Sequence, residues 1–416
     1  MSRQPAMFDR EINGQHLEEL IFLLEHRQQA LFSRDFTPRD VEELGGRIEA
    51  HVDGLLVAGC SVDQLLDEAF ASGEELPAHA AAVALLRRRD PVAVARVMDQ
   101  LLESQGAGIH GICGGACDAG IDLIKVRLAD MSRTGDPQHA AAAAETLAYH
   151  EPLTLTAIPL MEFCRHDQVE VRCCGWRTAA AIGATSAPFD VGFADEFSCV
   201  RRMSLFAATW LRLPVLLVHV REATRRLARH DLEAIRMLAV LGQPADLPLI
   251  QNILGEGTHG PQFRELLIAA AGTFGHPALI PDLLATMTQP NVRLVVAAAR
   301  AFTRMTGLKI HSDTRTKMPS EDGTEADEFK EEFLEEVFLP DVDQARRKWS
   351  QVESRFREGT RWSQGLNLSE FPDRASLSQL NMSTLWEVQL RGRFHGVREP
   401  TMLDTPFVND QRMNLR

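Results

Sequence analysis

Ala234-Ile-Arg-Met-Leu-Ala-Val-Leu-Gly-Gln-Pro-Ala-Asp-Leu-Pro248 and Leu267-Ile-Ala-Ala-Ala-Gly-Thr-Phe-Gly-His-Pro-Ala-Leu-Ile-Pro281 are two copies of one pattern. Gly242 aligns with Gly275, Pro244 with Pro277 and Pro248 with Pro281, each 33 residues apart without a gap. A period of that length marks a stacked supersecondary unit, and two helix-like apolar patterns per period make the unit a helix pair. In each copy an Ala-rich first helix runs into a glycine, the residue that most readily takes the left-handed conformation closing a helix. A proline-containing turn follows, and a second proline opens the next helix, where its missing N–H costs little. Small residues such as Ala269, Ala270 and Ala271 let neighbouring helices approach closely. One pair cannot bury its apolar face alone, so the pairs must stack, and the expected fold is an all-α α-solenoid.

Working outward, less regular copies follow the same order. Ala78–Arg88 pairs with Pro91–Glu103, Gln138–Ala148 with Pro159–Cys164, and Ser198–Leu211 with Pro214–Arg229, while Val169–Gly183 and Asn291–Gly307 each begin another. Pro159 and Pro214 take the place of Pro248 and Pro281. His16–Phe32 and Pro38–Ala58 are longer amphipathic patterns, read as a helical cap over the apolar edge of the first repeat. The expected organisation is an N-terminal helical cap over 1–75, the repeats over 76–307, an acidic insert over 308–341, and a C-terminal helical cap with an irregular tail over 342–416. Met318–Asp341 carries Glu321, Asp322, Glu325, Asp327, Glu328, Glu331, Glu332, Glu335 and Glu336 against Lys330 alone. It reads as a solvated acidic loop running into a short helix, with a docking segment for a basic partner as the sharper alternative. Asp343–Arg357 and Leu377–Arg393 are predicted helical, and Glu399–Arg416 irregular.

Composition narrows the function. The 416 residues exceed the usual size of one core, which suits an extended array. A net charge of −14 repels a phosphate backbone, so no nucleic-acid partner is expected. Met1-Ser-Arg-Gln-Pro5 lacks the apolar core of a signal peptide, and no apolar run approaches membrane-span length. The expectation is a cytoplasmic chain with no membrane partner. Seven cysteines, an odd number in a long chain, fit free thiols better than a disulfide framework.

Two flanking stretches carry a resemblance. Arg47-Ile-Glu-Ala-His-Val-Asp-Gly-Leu-Leu-Val-Ala-Gly59, preceded by His16 to Arg27, resembles the N-terminal signature of a proteobacterial HEAT-repeat family, itself uncharacterised. Arg355-Phe-Arg-Glu-Gly-Thr-Arg361 resembles its C-terminal signature. The resemblance extends over nearly the whole chain and implies HEAT-like helix pairs. Such proteins are often encoded near type VI secretion genes, which implies an adaptor, chaperone or immunity role. The family offers no catalytic residues to carry over.

The residues with chemical potential are few. His110-x-x-Cys113-x-x-x-Cys117 supplies three candidate zinc ligands where a structural site needs four, and its surrounding glycines read instead as a flexible connection before a buried helix start. Cys164, His166, Cys173 and Cys174 are soft ligands that could converge between units, but cysteines in Ala-rich helices usually pack as small apolar groups. Neither a phosphate loop nor a metalloprotease helix nor a nucleophile elbow occurs. No metal, cofactor or catalytic residue is therefore assigned. Arg172, Arg264 and Arg293 follow an apolar residue near the start of first helices, the usual position for an arginine that bridges adjacent units. Of the five tryptophans, Trp210 reads as core at a helix end, and Trp349, Trp362 and Trp386 as buried in the C-terminal cap.

The partner-binding candidates are Arg221, Arg225 and Arg229, with Arg226 beside them. Steps of four place the first three on one face of the helix opened by Pro214. In a solenoid whose second helices line the concave surface, such a row suits acidic side chains or phosphate; the plainer reading is a solvated face. The expected function is a non-enzymatic protein-binding scaffold, an adaptor or chaperone for a secretion component or effector. The alternatives are a toxin-neutralising immunity protein or a HEAT-like enzyme such as a DNA glycosylase or bilin lyase, the glycosylase disfavoured by the acidic balance.

Overall fold

A computed structural model describes residues 4–150, 158–318, 334, 336–357 and 359–397. The chain is an all-α helical repeat, with two short antiparallel hairpins as the strands found among the described residues. It divides into two compact units, one holding Met1–Leu213 with Ser378–Trp386 and the other Pro214–Leu377 with Glu387–Val397.

The first unit opens with the two long helices expected there, α1 (Gln4–Ala30) and α2 (Pro38–Ala58). Thr37 caps α2 in a reciprocal box with Asp40, and Pro38 stands in its first turn. Val41, Leu44, Ile48, Val52 and Leu55 are buried in the steps of three and four that put one stripe of a helix against a core. A helix absent from the sequence reading, α3 (Asp63–Ala71), follows. The repeat then runs through α4 (Glu75–Arg88), α5 (Pro91–Glu103), α6 (Ala107–Ala119), α7 (Lys125–Thr134), α8 (Pro137–His150), α9 (Leu160–Phe163), α10 (Val169–Ala181), α11 (Phe189–Phe193) and α12 (Ser198–Trp210). The even-numbered helices pack in succession: α4 on α6, α6 on α8, α8 on α10 and α10 on α12. The odd-numbered helices flank this row, α7 against α8, α9 against α10 and α11 against α12. Position in the row explains the alanines. Ala78–Leu86 of α4 and Ala140–Ala148 of α8 are buried at every residue, as a helix covered on all sides must be.

The glycine-rich stretch corrects the sequence reading. Gly108, Gly111, Gly114 and Gly115 lie inside α6, not in a flexible connection, and the last three form its contact face with α4. A Cβ on Gly111 would overlap the Glu75 carbonyl, and one on Gly115 would stand 2.6 Å from the His79 carbonyl and 2.7 Å from Ala82 Cβ. The two backbones meet there with no room for a side chain, which outweighs the roughly 1 kcal/mol that each helical glycine loses against alanine. The same approach seats a buried polar cluster. Asp118 near the end of α6 accepts from Arg27 Nη2 of α1 at 2.5 Å, and its Oδ2 lies 2.9 Å from His79 Nε2 of α4. Residues Met382 and Ser383 close this unit by donating their amides to the Phe36 and Ser33 carbonyls, and Trp386 stacks on Phe206 at 5.8 Å.

The second unit contains the deciding repeat. Its helices are α13 (Pro214–Arg226), α14 (Leu232–Leu241), α15 (Leu247–Gly255), α16 (Pro261–Phe274), α17 (Ile280–Thr286) and α18 (Val292–Thr306). The first prolines of the repeat, Pro244 and Pro277, start one-turn 3-10 segments, and Pro248 and Pro281 sit in the first turns of α15 and α17. Gly275 and Gly307 take the left-handed conformation expected of them. Gly242 does not: its φ of −56° is open to any residue. Glycine is required there for space, since a Cβ would lie 2.6 Å from the Leu238 carbonyl and 3.0 Å from the Phe274 ring.

Beyond Gly307 the chain forms β1 (His311–Lys317) and β2 (Glu336–Pro340), an antiparallel pair that the sequence reading placed in loop and short helix. Val337 and Met318 pack on Val296 of α18, so the hairpin is anchored by a small apolar cluster. The acidic residues Glu321 to Glu335 named above lie outside the described residues, as does Glu399–Arg416. Next come α19 (Val342–Phe356), the two-residue strands β3 (Trp362–Ser363) and β4 (Leu366–Asn367), α20 (Arg374–Leu377) and α21 (Met382–Phe394).

The segment 361–365 crosses the C-terminal ends of α14, α16 and α18 and satisfies carbonyls that those helix ends leave open. The Arg361 guanidinium donates to the carbonyls of Ala239, Val240 and Gly242. The amide of Trp362 donates to Gly275, that of Gln364 to Arg304 and that of Gly365 to Met305. His395 lies 3.0 Å from the remaining Leu241 carbonyl at the end of α14. Terminal carbonyls of a buried helix must find partners, and here one short stretch supplies them to three helices. Burial and the neighbouring Arg391 push the Arg361 pKa down to about 9, still above neutrality, so the guanidinium enters these bonds charged. The Arg355–Arg361 signature thus has a structural role: Arg355 holds Gly365, and Arg361 holds α14.

Candidate functional site

The arginine row is only partly a row. The helix α13 ends at Arg226, and Leu227 takes a φ of +55°, a conformation strained for leucine that turns the chain away. Arg229 therefore lies in the following 3-10 turn, off the face it was expected to share with Arg221 and Arg225. Nor are all four free. Arg221 makes a two-point contact with Asp246 at 2.8 and 3.1 Å, and Arg226 another with Asp231 at 3.2 and 2.6 Å. Both aspartates are buried, so these pairs hold the turns before α15 and α14 in place. Arg225 and Arg229 are exposed.

Of the three arginines expected to bridge units, Arg172 and Arg293 behave as their position suggests. Arg172 donates to the carbonyls of His166 and Asp167 and pairs with Asp195 of the next repeat at 2.8 Å. Arg201 repeats the local pattern on the carbonyls of Asp195 and Glu196. Val171-Arg172 and Val200-Arg201 are thus the same position 29 residues apart. Arg293 of α18 pairs with Glu265 of α16 at 2.8 Å.

The candidate metal clusters do not assemble as the spacing suggested. Among the described residues no three His, Cys, Asp or Glu side chains are placed to share an ion. Cys113 and Cys117 are buried inside α6, and burial pushes the Cys113 thiol up to about 12 and the Cys117 thiol well above its ordinary range. Cys164 and Cys174 are buried too.

Cys173 instead faces a cavity of about 330 Å³ in the first unit, lined from α4, α6, α8, α10 and α12. Each helix of the row contributes residues from the same side: Glu75, His110 with Cys113, Glu145 with Thr146, Glu170 with Cys173 and Arg177, and Cys199. Arg177 grips Glu145 through Nε at 2.5 Å and Nη2 at 2.9 Å. Burial opposes the Arg177 charge, but Glu145 more than offsets it and keeps the guanidinium protonated. The remaining Arg177 contacts are to sulfur, Cys174 Sγ at 3.7 Å and Met203 Sδ at 3.9 Å. Burial pushes the Cys173 thiol, too, up to about 12, and Cys199 of α12 lines the same cavity. The cavity lining thus combines thiols, carboxylates and a guanidinium already paired with Glu145.

Cys199 was missed because it is 26 residues from Cys173 and belongs to no local motif. The repeat register holds the signal: Cys199 precedes Val200-Arg201 as Glu170 precedes Val171-Arg172, and both positions line the cavity. No helix among the described residues is long and apolar enough to cross a membrane. Neither a family model nor a curated protein matches the chain.

Proposed function

We propose that this chain is a non-enzymatic protein-binding scaffold of stacked HEAT-like helix pairs, acting in the cytoplasm as an adaptor or chaperone linked to a type VI secretion system. The observation that carries the binding role is where the exposed large apolar side chains fall. Val92 and Leu102 of α5, Val126 of α7, Met161 of α9 and Val191 of α11 are all exposed, Val92 at 78% and Val126 at 75%. These are the flanking helices of successive pairs; the inner row keeps its apolar residues covered. Scattered exposed apolar residues need no explanation, but their recurrence on one class of helix, pair after pair, fits a surface repeated for contact. The link to secretion rests on the resemblance of residues 47–59 and 355–361 alone.

The test is purification of tagged chain from its native host under mild conditions, with stoichiometric companions identified by mass spectrometry, beside a Val92→Asp/Val126→Asp variant of equal thermal stability. A companion that is a secretion component, bound by the wild type and lost from the variant, is the expected result. A companion retained equally by both removes the apolar positions from the argument. A toxin in that place turns the adaptor into an immunity protein.

A further inference from the structure

His16 of α1 and His51 of α2 face each other, their Nδ1 atoms 3.1 Å apart and their rings edge to face with centroids 5.2 Å apart. Both imidazoles are half-buried, and the next residue on each helix, Leu17 and Val52, is buried. Gly54, one turn beyond His51, makes room for the meeting: a Cβ there would stand 2.7 Å from Cε1 and Nε2 of His16. A bond between two Nδ1 atoms exists in two protonation states only. With both rings neutral, one donates its N–H to the lone pair of the other; with one proton added, a charged ring donates to a neutral one. A second proton makes both nitrogens donors and sets two positive rings against each other.

We infer that His16 and His51 form a proton-operated latch between α1 and α2, closed with no proton or one and released by the second. Both helices pack on α4, the first helix of the inner row, so release uncovers the end of the array that they cap. The surrounding charges leave the pair in control. Glu19 of α1 favours a charged His51, while Arg47, one turn earlier on α2, opposes it together with burial and His16, and the net effect is a lowered His51 pKa. Glu49 of α2 is engaged by Arg87 of α4, and His79 of α4 by Asp118 of α6. The 3-10 turn Gly59–Val62, which also packs on α1 and α2, brings no charge. In an opened hairpin each imidazole titrates near its ordinary value of about 6.5. Below about pH 6 the open form therefore holds one proton more than the closed form, and stability falls as pH falls. One proton withheld raises the opening constant by up to about tenfold for each pH unit. Asp118, held at about 2, titrates far below this window. The latch does not depend on the scaffold reading, which rests on other residues.

The experiment is hydrogen exchange from pH 7 to pH 5, corrected for the intrinsic pH dependence of amide exchange. Peptides of α1 and α2 are compared with those of α10, a helix without histidine. Opening of α1 and α2 should rise by up to about tenfold per unit below about pH 6 while α10 stays level. His51→Asn, whose amide can still donate or accept but cannot take a charge, should abolish the rise. A wild type with no such rise, a rise shared equally by α10, or one that persists in His51→Asn overturns the latch. A second measurement needs no variant: by NMR the pair should titrate in two separate steps, the second below the ordinary histidine value. Two rings titrating together near about 6.5 also overturn it.

Discussion

The Arg361 guanidinium donates to the main-chain carbonyl of Val240, 2.9 Å away and 121 residues earlier in the chain. With its bonds to Ala239 and Gly242 it closes the end of α14, and it lies over the Phe274 ring at 5.3 Å. Hydrogen bonds to a charged donor contribute about 1.5–3 kcal/mol each, and buried carbonyls left without partners add a penalty. Arg361→Ala should therefore destabilise the second unit by about 3–5 kcal/mol. Arg361→Lys should recover only part of this, since an ammonium lacks the planar fork. Denaturant unfolding measures the size of the effect, and hydrogen exchange should place the lost protection on α14. Unchanged protection there would refute the assignment.

Gly275 and Gly73 separate two costs of adding a methyl group. Both have positive φ, +70° and +69°. A Cβ at Gly73 meets nothing within 4 Å, whereas one at Gly275 overlaps the Trp362 carbonyl. Gly73→Ala should cost about 1 kcal/mol, the conformational penalty alone. Gly275→Ala should cost at least about 2 kcal/mol, because the 361–365 segment must also shift. Thermal unfolding of the two variants gives the comparison, and equal losses would mean that the segment does not bear on Gly275.

Acid should loosen the first unit through Asp118. Burial alone would raise its pKa, but Arg27 and His79 hold it down at about 2. A carboxylate lowered on folding stabilises the fold above its ordinary pKa near 3.8, and that contribution fades as pH falls towards 2. The shift corresponds to about 2 kcal/mol. Asp118→Asn leaves Arg27 buried without its counter-charge and should cost about 3–5 kcal/mol at neutral pH. Measured from pH 5 down to pH 2, the gap between wild type and variant should narrow. A constant gap would place the acid sensitivity elsewhere.

Arg221 and Arg225 stand one helical turn apart yet should respond oppositely. Arg221 is tied to the buried Asp246, so Asp246→Ala removes both that pair and the carboxylate that accepts the Gln243 amide. It should lower stability by about 2–4 kcal/mol. Arg225→Ala should change stability by less than about 0.5 kcal/mol, as exposed substitutions do. Urea midpoints test both. Similar losses would restore Arg225 to a structural role.

The repeat was readable because Gly242 and Gly275, and the prolines after them, keep a constant spacing that no packing detail can hide. What escaped depended on partners far away in sequence. The glycines of α6 read as chain breakers, and only the backbone of α4 beside them shows why side chains are excluded there. His311–Lys317 has little apolar alternation, and its partner strand begins at Glu336, across the acidic stretch. Arg229 was extrapolated along a helix that Leu227 ends, and a leucine in the left-handed region leaves no mark in composition. At the cavity, Cys173 was visible as a cysteine but its companion was not, because Cys199 joins it only through the stacking of α10 and α12.

The closure of α14, α16 and α18 by residues 361–365 also sets an order in time. Ribosomes deliver about 5–20 residues each second, so α14 emerges on the order of ten seconds before the arginine that completes it. Arrays of stacked repeats ordinarily add stability one unit after another as the chain grows. Here three helices must wait with open ends until a single late stretch arrives. Nascent chains stalled before residue 361 should therefore behave less like a shorter array than like an unfinished one, and be the form on which chaperones and proteases act.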